Sequence, residues 1–239
     1  MDPFFLGLDL STLGLKAVVV QEDCIIVHES AVHFDRDLPH YGTTNGAIRD
    51  LEGEVTSPVE MWLEVYDLLM TRMKAAGVDF SAVSAISGDG QITTRFCLLV
   101  PRRRSSLANL DVSKNLPSQL SSKAFSLQKV SIWQDSSTTR ECCELEDTVG
   151  GAQALMDISA YERFTYFRPL PQTTHPRSLR ATSHVSSFMP SLFLGKIAPI
   201  EISDASAELV IRNTPRNGRR RGGIVSYCYV RLYRYSLYY

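Results

Sequence analysis

Cysteine is scarce in this chain, and its few cysteines form no pattern that makes chemistry. Cys24, Cys97, Cys142, Cys143 and Cys228 are odd in number, include one adjacent pair and lack CxxC spacing. Neither a zinc site nor a disulfide framework is supported, and a reducing cytoplasm is the expected compartment. Charge of one sign is missing too: 25 basic residues stand against 26 acidic ones, leaving no global field to gather nucleic acid or an anionic membrane. The triplets Arg102-Arg103-Arg104 and Arg219-Arg220-Arg221 read as solvated runs rather than a nucleic-acid surface. There is no long apolar run. The longest, around residues 187–200, contains Pro190, Lys196 and Pro199 and is too short to span a bilayer. The start carries acids at Asp2 and Asp9 and no basic stretch, so no signal peptide is expected.

What is present is an ordinary globular composition, 44% hydrophobic over 239 residues, which allows one or two domains. The segment Phe5 to Val20, FLGLDLSTLGLKAVVV, reads as strand, polar turn, strand, with Asp9 at the mouth of the turn. Ser11, Thr12, Gly14 and Lys16 stand beside that carboxylate. Such a turn suits Mg-phosphate chemistry: backbone N–H groups and hydroxyls hold phosphate oxygens, and an acid at a strand end holds Mg²⁺ through water. The plainer alternative is a hairpin whose Asp solvates the turn. Cys24 to Phe34 alternates as a third strand, giving an antiparallel meander, and a polar loop is expected from Asp35 to about Thr56. A helix then follows, with Ser57 as N-cap and Pro58 at its first position. Its apolar stripe is Met61, Val65, Leu68, Leu69 and Met73, and Gly77 is its stop. Ala82 to Ile86 reads as a strand running into Ser-Gly-Asp-Gly, so the order is three strands, helix, strand: an α/β domain. Helices are expected from Ser137 to about Thr148, from Ala152, and over VSSFMPSLFLG, where Pro190 should kink or restart the helix.

Three windows break this local consistency: residues 92–106 with PRRRSS, residues 166–181 with mixed Pro, Thr and Arg, and the arginine- and tyrosine-rich stretch 207–239. A chain whose local rules agree and then stop agreeing is either disordered there or not the sequence the fold selected.

Between the windows, GLDLST with Leu15-Lys16, HESAVHFDRDLPHYGTTNG, TSPVEMW, KAAGVDFSAVSAISGDGQ, WQDSSTTRECCELEDTVGGAQAL, YERFT and SSFMPSLFLGKIAPIEISDAS occur in order. The set resembles the FGGY carbohydrate kinases, in their eukaryotic D-xylulose kinase branch, over roughly three quarters of the chain. The resemblance implies a ribonuclease-H-like, actin-type ATPase domain, a mixed sheet flanked by helices, truncated within residues 1–206 and followed by a non-family tail, expected to be disordered, over 207–239. It implies ATP and Mg²⁺ as cofactors and D-xylulose as the sugar, phosphorylated on its terminal hydroxyl. Residue by residue, Asp9 matches the position that helps hold Mg²⁺ through water, Ser11 and Thr12 line the phosphate turn, and Lys16 sits at the family's basic position. Arg163 matches a sugar-contacting arginine, whose planar fork can hold two hydroxyls at once. Gln91 matches the start of a sugar-contacting Gln-Gln-His-Gly motif, and Asp135 lies in a segment bordering the sugar pocket. Each also has a structural alternative: Lys16 as a solvated strand residue, Gln91 as a loop residue, Asp135 as a helix-capping acid before Ser-Ser-Thr-Thr. The family's catalytic base and adenosine pocket belong to a second domain with no counterpart in this sequence. A non-catalytic fragment with at most weak sugar or Mg-phosphate binding is therefore the alternative function.

One departure has a codon-level explanation. After Gln91 the family continues Gln-His-Gly-Ser-Val-Tyr-Trp-Ser, whereas this chain has Thr93-Thr94-Arg95-Phe96-Cys97-Leu98-Leu99-Val100. Encoded as ACA ACA CGG TTC TGT CTA CTG GTC C, those residues read CAA CAC GGT TCT GTC TAC TGG TCC when shifted by one base, which is the family motif. The hypothesis is that 92 to about 106 is an out-of-frame stretch. The coding DNA tests it: codons 93 to 100 should yield the motif in a shifted frame, and failure in both shifted frames sinks the idea.

Overall fold

The computed structural model describes residues 3–51, 53–91, 95–97, 105–111, 113–120, 125, 127–154, 182–199 and 230–231. Its centre is the expected meander. β1 (Phe4–Leu10), β2 (Gly14–Val20) and β3 (Ile26–His33) pair antiparallel in sequence order. A short helix α1 (Phe34–Asp37) follows, then β4 (Ile48–Arg49) and β5 (Val55–Pro58), so the segment read as a polar loop carries structure of its own.

Helix α2 (Val59–Ala75) forms where the apolar stripe predicts, with Met61, Val65, Leu69 and Met73 buried. Its start differs from the sequence reading. Ser57 and Pro58 belong to β5, Pro58 is the N-cap in extended conformation, and the buried Ser57 hydroxyl donates to the Gly46 carbonyl (2.8 Å) rather than capping the helix. A strand partner outbid the local cap signal, because β5 pairs with β4 on one side and with β8 (Lys129–Ser131) on the other. The helix stops as expected. The Gly77 backbone is left-handed (φ +87°) and its N–H donates to Lys74, while Val78 N–H reaches back to Met73.

After α2, β6 (Val83–Gly90) extends four residues beyond the strand expected from sequence, through Ser87-Gly88-Asp89-Gly90. It lies parallel to β1, from Phe5↔Ala85 to Asp9↔Asp89 and Leu10↔Gly90. The extension holds because its glycines admit a helix. A Cβ on Gly90 would meet the Ser186 amide nitrogen at 2.8 Å, and one on Gly88 would meet the Met189 sulfur. Further along come β7 (Arg95–Cys97), α3 (Ser105–Ala108), α4 (Leu116–Gln119) and α5 (Thr139–Val149). Residues 152–154 are helical, followed by β9 (Thr182–His184) and α6 (Val185–Leu194). Pro190 does not restart α6, which runs through it to Leu194. The Ser191 hydroxyl donates to the Ser187 carbonyl (2.7 Å) and accepts the Ala198 N–H (2.9 Å), adding side-chain hydrogen bonds where proline has no N–H to give.

The main sheet has the order β10-β6-β1-β2-β3, where β10 (Val230–Arg231), antiparallel to β6, is the described part of the stretch 207–239. Two smaller sheets are β4-β5-β8 and β7-β9. Register sorts the main sheet into two faces. Leu6, Leu8 and Leu10, with Leu15, Ala17, Val19 and Ile86, form one core with α2 and α6. Phe5, Gly7 and Asp9, with Lys16, Val18 and Val20 and with Ala85, Ser87 and Asp89, form the opposite face, where each is half-buried or exposed. Among the described residues no helix is long and apolar enough to cross a membrane.

Candidate functional site

The open face of the sheet ends in a charged row. Asp9 on β1 is registered with Lys16 on β2 and with Asp89 on β6, so one ammonium and two carboxylates sit side by side where the strands reach the β1–β2 turn. Burial, chiefly, pushes the Asp9 carboxyl above its ordinary pKa; Lys16 pulls it back down and the neighbouring Asp89 adds to the rise.

The turn itself is built tightly. Ser11 closes it, its N–H (3.0 Å) and hydroxyl (3.4 Å) both donating to the Gly14 carbonyl. Leu13 C=O accepts the Phe34 N–H (3.0 Å), and a Cβ on Gly14 would lie 2.0 Å from the Val32 carbonyl oxygen, so only glycine fits between the turn and β3. On the other flank Gly46 takes a left-handed backbone (φ +72°) and packs against the Thr12 carbonyl, where a Cβ would come within 1.8 Å. Asp35 sets that glycine in place. Its carboxylate accepts the Thr43 hydroxyl (2.7 Å) and the amides of Asn45 (2.6 Å) and Gly46 (3.1 Å). Burial works to raise the Asp35 pKa, and these three hydrogen bonds outweigh it, so the group stays ionised below the usual carboxylate range.

Thr12 is where three segments meet. Its hydroxyl accepts the Trp133 indole N–H (2.9 Å) and lies 3.5 Å from the Gln91 amide oxygen, to which it donates. Gln91 is only 8% exposed, its own N–H bonds to Leu10 C=O (2.9 Å), and its side-chain Nε2 is buried with no hydrogen-bond partner. Trp133 keeps nearly half of its surface in water (49%). Asp9, Ser11, Thr12, Lys16 and Gln91 are thus brought together at one strand end.

Asp135 is placed differently. It is 1% exposed, and its Oδ1 accepts the amides of Ser137 (3.1 Å) and Val55 (3.4 Å), so it organises the turn ahead of α5 and ties it to β5. Arg163 lies outside the described residues. Two residues at the site were not singled out by the sequence reading, Asp89 and Trp133. Asp89 was hidden in a Ser-Gly-Asp-Gly string that resembles a turn, and only the long-range pairing of β6 with β1 sets it beside Asp9. Trp133 stands two residues before Asp135, and its contact spans 121 positions.

The donors fit Mg²⁺. It is a hard cation that takes one or two carboxylates and keeps its remaining positions for water and phosphate oxygen, and carboxylates with hydroxyls beside them are what this strand end offers. Among the described residues no three His, Cys, Asp or Glu side chains converge into an all-protein cage.

The comparisons with known proteins fall on the same side. A mouse xylulose kinase is 44% identical over 214 residues, which is 84% of this chain and 38% of the mouse protein. Xylulose kinase 2 of Arabidopsis thaliana is 42% identical over 216 residues, 86% of this chain and 38% of its own length. The chain belongs to the xylulose kinase family. It spans a little over a third of the length of these family members. Fold similarity agrees. A glycerol kinase from Plasmodium falciparum, solved with ADP, superposes with a TM-score of 0.61 at 14% identity, covering 88% of this chain and 38% of that one. A xylulose kinase from Bifidobacterium adolescentis gives 0.57 at 15% identity, covering 87% and 40%. These two show the actin-like ATPase fold of carbohydrate kinases. No family model matches the chain.

Proposed function

We propose that this chain forms the Mg-phosphate side of an ATP-dependent D-xylulose kinase site and is incomplete for turnover on its own. The observation that carries the reading is the convergence of Asp9, Lys16, Thr12 and Gln91 at one strand end, in a chain whose relatives are named xylulose kinases. Phosphoryl transfer to a sugar hydroxyl is mostly positioning and charge neutralisation, so the chain's part is electrostatic. Asp9 carries the negative charge that holds Mg²⁺ through water. Ser11 and Thr12 line the phosphate turn, Ser11 by closing it onto the Gly14 carbonyl and Thr12 by tying it to Trp133 and Gln91, and Lys16 offsets charge beside Asp9. Gln91, Asp135 and Arg163 are proposed for the sugar side, Asp135 indirectly, by fixing the turn that carries Trp133. The exposed indole, anchored by its N–H to Thr12, adds an apolar wall at the same place. Mg²⁺, when bound, supplies Lewis-acid neutralisation of the transferring phosphate. ATP and D-xylulose are the proposed partners and the cytoplasm the proposed compartment.

The second reading, a non-catalytic fragment with at most weak sugar or phosphate binding, is favoured by the share of the relatives' length that the chain spans. The purified chain assayed with D-xylulose and Mg·ATP should release ADP no faster than a blank without sugar. Sugar-dependent turnover well above that blank would show the site to be complete.

A further inference from the structure

Asp89 is the group at this strand end to which neither the sequence nor the proposed mechanism gives a task. Parallel register sets it directly beside Asp9, and neighbouring strands lie about 4.8 Å apart. With Lys16 on the far side of Asp9, the row holds two negative charges and one positive, all on the open face. Such a row is electrostatically unfavourable when bare. Asp89 is exposed, and its Oδ1 accepts the Gly90 N–H (2.7 Å), which pins the carboxylate at the strand end.

A second observation points to a ligand at the same place. Two residues on, the Gln91 side chain is more than nine-tenths buried with its amide oxygen at the Thr12 hydroxyl, and its Nε2 has no acceptor. A buried amide donor is costly unless something accepts from it. The strand end therefore lacks two things: positive charge between its carboxylates and an acceptor oxygen in front of Gln91. A divalent cation accompanied by phosphate supplies both. We propose that Asp89 is a second carboxylate that, with Asp9, holds the divalent cation at this turn, the Gln91 amide, where the sugar and phosphate sides meet, donating to an oxygen of the phosphate that accompanies it. This rests on the Mg-phosphate reading of the turn and deepens it.

Mn²⁺, whose free ion is counted by electron paramagnetic resonance, tests the proposal on the full chain without any need for turnover. The proteins are the wild type, Asp9→Asn, Asp89→Asn and, as a control for loss of one surface charge, Asp23→Asn at the far end of the β2–β3 hairpin. Asparagine at 89 still accepts the Gly90 amide, and circular dichroism checks folding. Expected are a Mn²⁺ dissociation constant raised about tenfold or more by either Asp9→Asn or Asp89→Asn, little change in Asp23→Asn, and tightening by inorganic phosphate in the wild type. If Asp89→Asn binds like wild type or like Asp23→Asn while Asp9→Asn does not, the proposal is overturned and the Mg-phosphate reading survives. If the wild type takes up no Mn²⁺ with or without phosphate, both fall together.

Discussion

Trp62→Ala is expected to destabilise the fold by about 3–5 kcal/mol, the range for deleting a fully buried aromatic side chain. Trp62 lies on α2 with no surface in contact with water, in the same core as Leu6, Leu8, Leu15 and Phe34. That core packs the helix onto the leucine face of β1 and β2, and the β1–β2 turn takes its geometry from those strands. A loss of this size is comparable with the whole stability of a marginal domain, so most of the variant should be unfolded near physiological temperature. Urea unfolding followed by far-ultraviolet circular dichroism measures it as a drop in the midpoint. A midpoint within experimental error of wild type would mean that α2 does not pack on the sheet as described.

Asp9→Asn should do the opposite to stability and weaken binding of the cation. In the folded chain the Asp9 carboxyl sits above its ordinary pKa, mainly through burial, with Asp89 adding to the rise and Lys16 opposing it. A carboxyl whose folded pKa is raised stabilises the native state only when protonated, and ionisation costs stability as pH climbs above about 3.9, the value for an unfolded chain. Replacing it with a neutral isostere removes that cost. The variant should melt at the same temperature as wild type below this pH and at a higher one near neutrality. The same substitution removes the charge proposed to hold the cation, an expected loss of about 2–3 kcal/mol in binding, or roughly thirty- to 150-fold.

Much of this was legible before the structure. The meander, α2 and the α/β order followed from period and from the Pro and Gly signals. Asp9, Ser11, Thr12 and Lys16 were recognisable because they lie within eight consecutive residues, whose local rules need no partner. What the sequence concealed was non-local. Ser57 looks like a helix cap until β5 finds β4 and β8, and Gly46 then accepts its hydroxyl. Ser-Gly-Asp-Gly looks like a turn until β1 supplies a parallel neighbour and α6 needs the glycines' missing Cβ atoms to approach. Pro190 looks like a break until the Ser191 hydroxyl takes up hydrogen bonds on both sides of it. In each case a local propensity, a few tenths to about one kcal/mol for the cap and the glycines and about 3 kcal/mol for the proline, was overridden by tertiary contacts. Asp135, matched to a sugar-bordering segment, is seen to brace Ser137 and Val55 from within.

We propose above all that the strand end around Asp9 binds Mg-phosphate in a chain that spans a little over a third of its relatives' length. Calorimetric titration of Mg·ADP into the full chain and into Asp9→Asn tests it most directly. The account predicts saturable binding to the wild type, dependent on Mg²⁺, and none measurable in an Asp9→Asn variant that melts no lower than wild type at neutral pH. Equal binding by the two proteins, or no binding by a folded wild type, would contradict it.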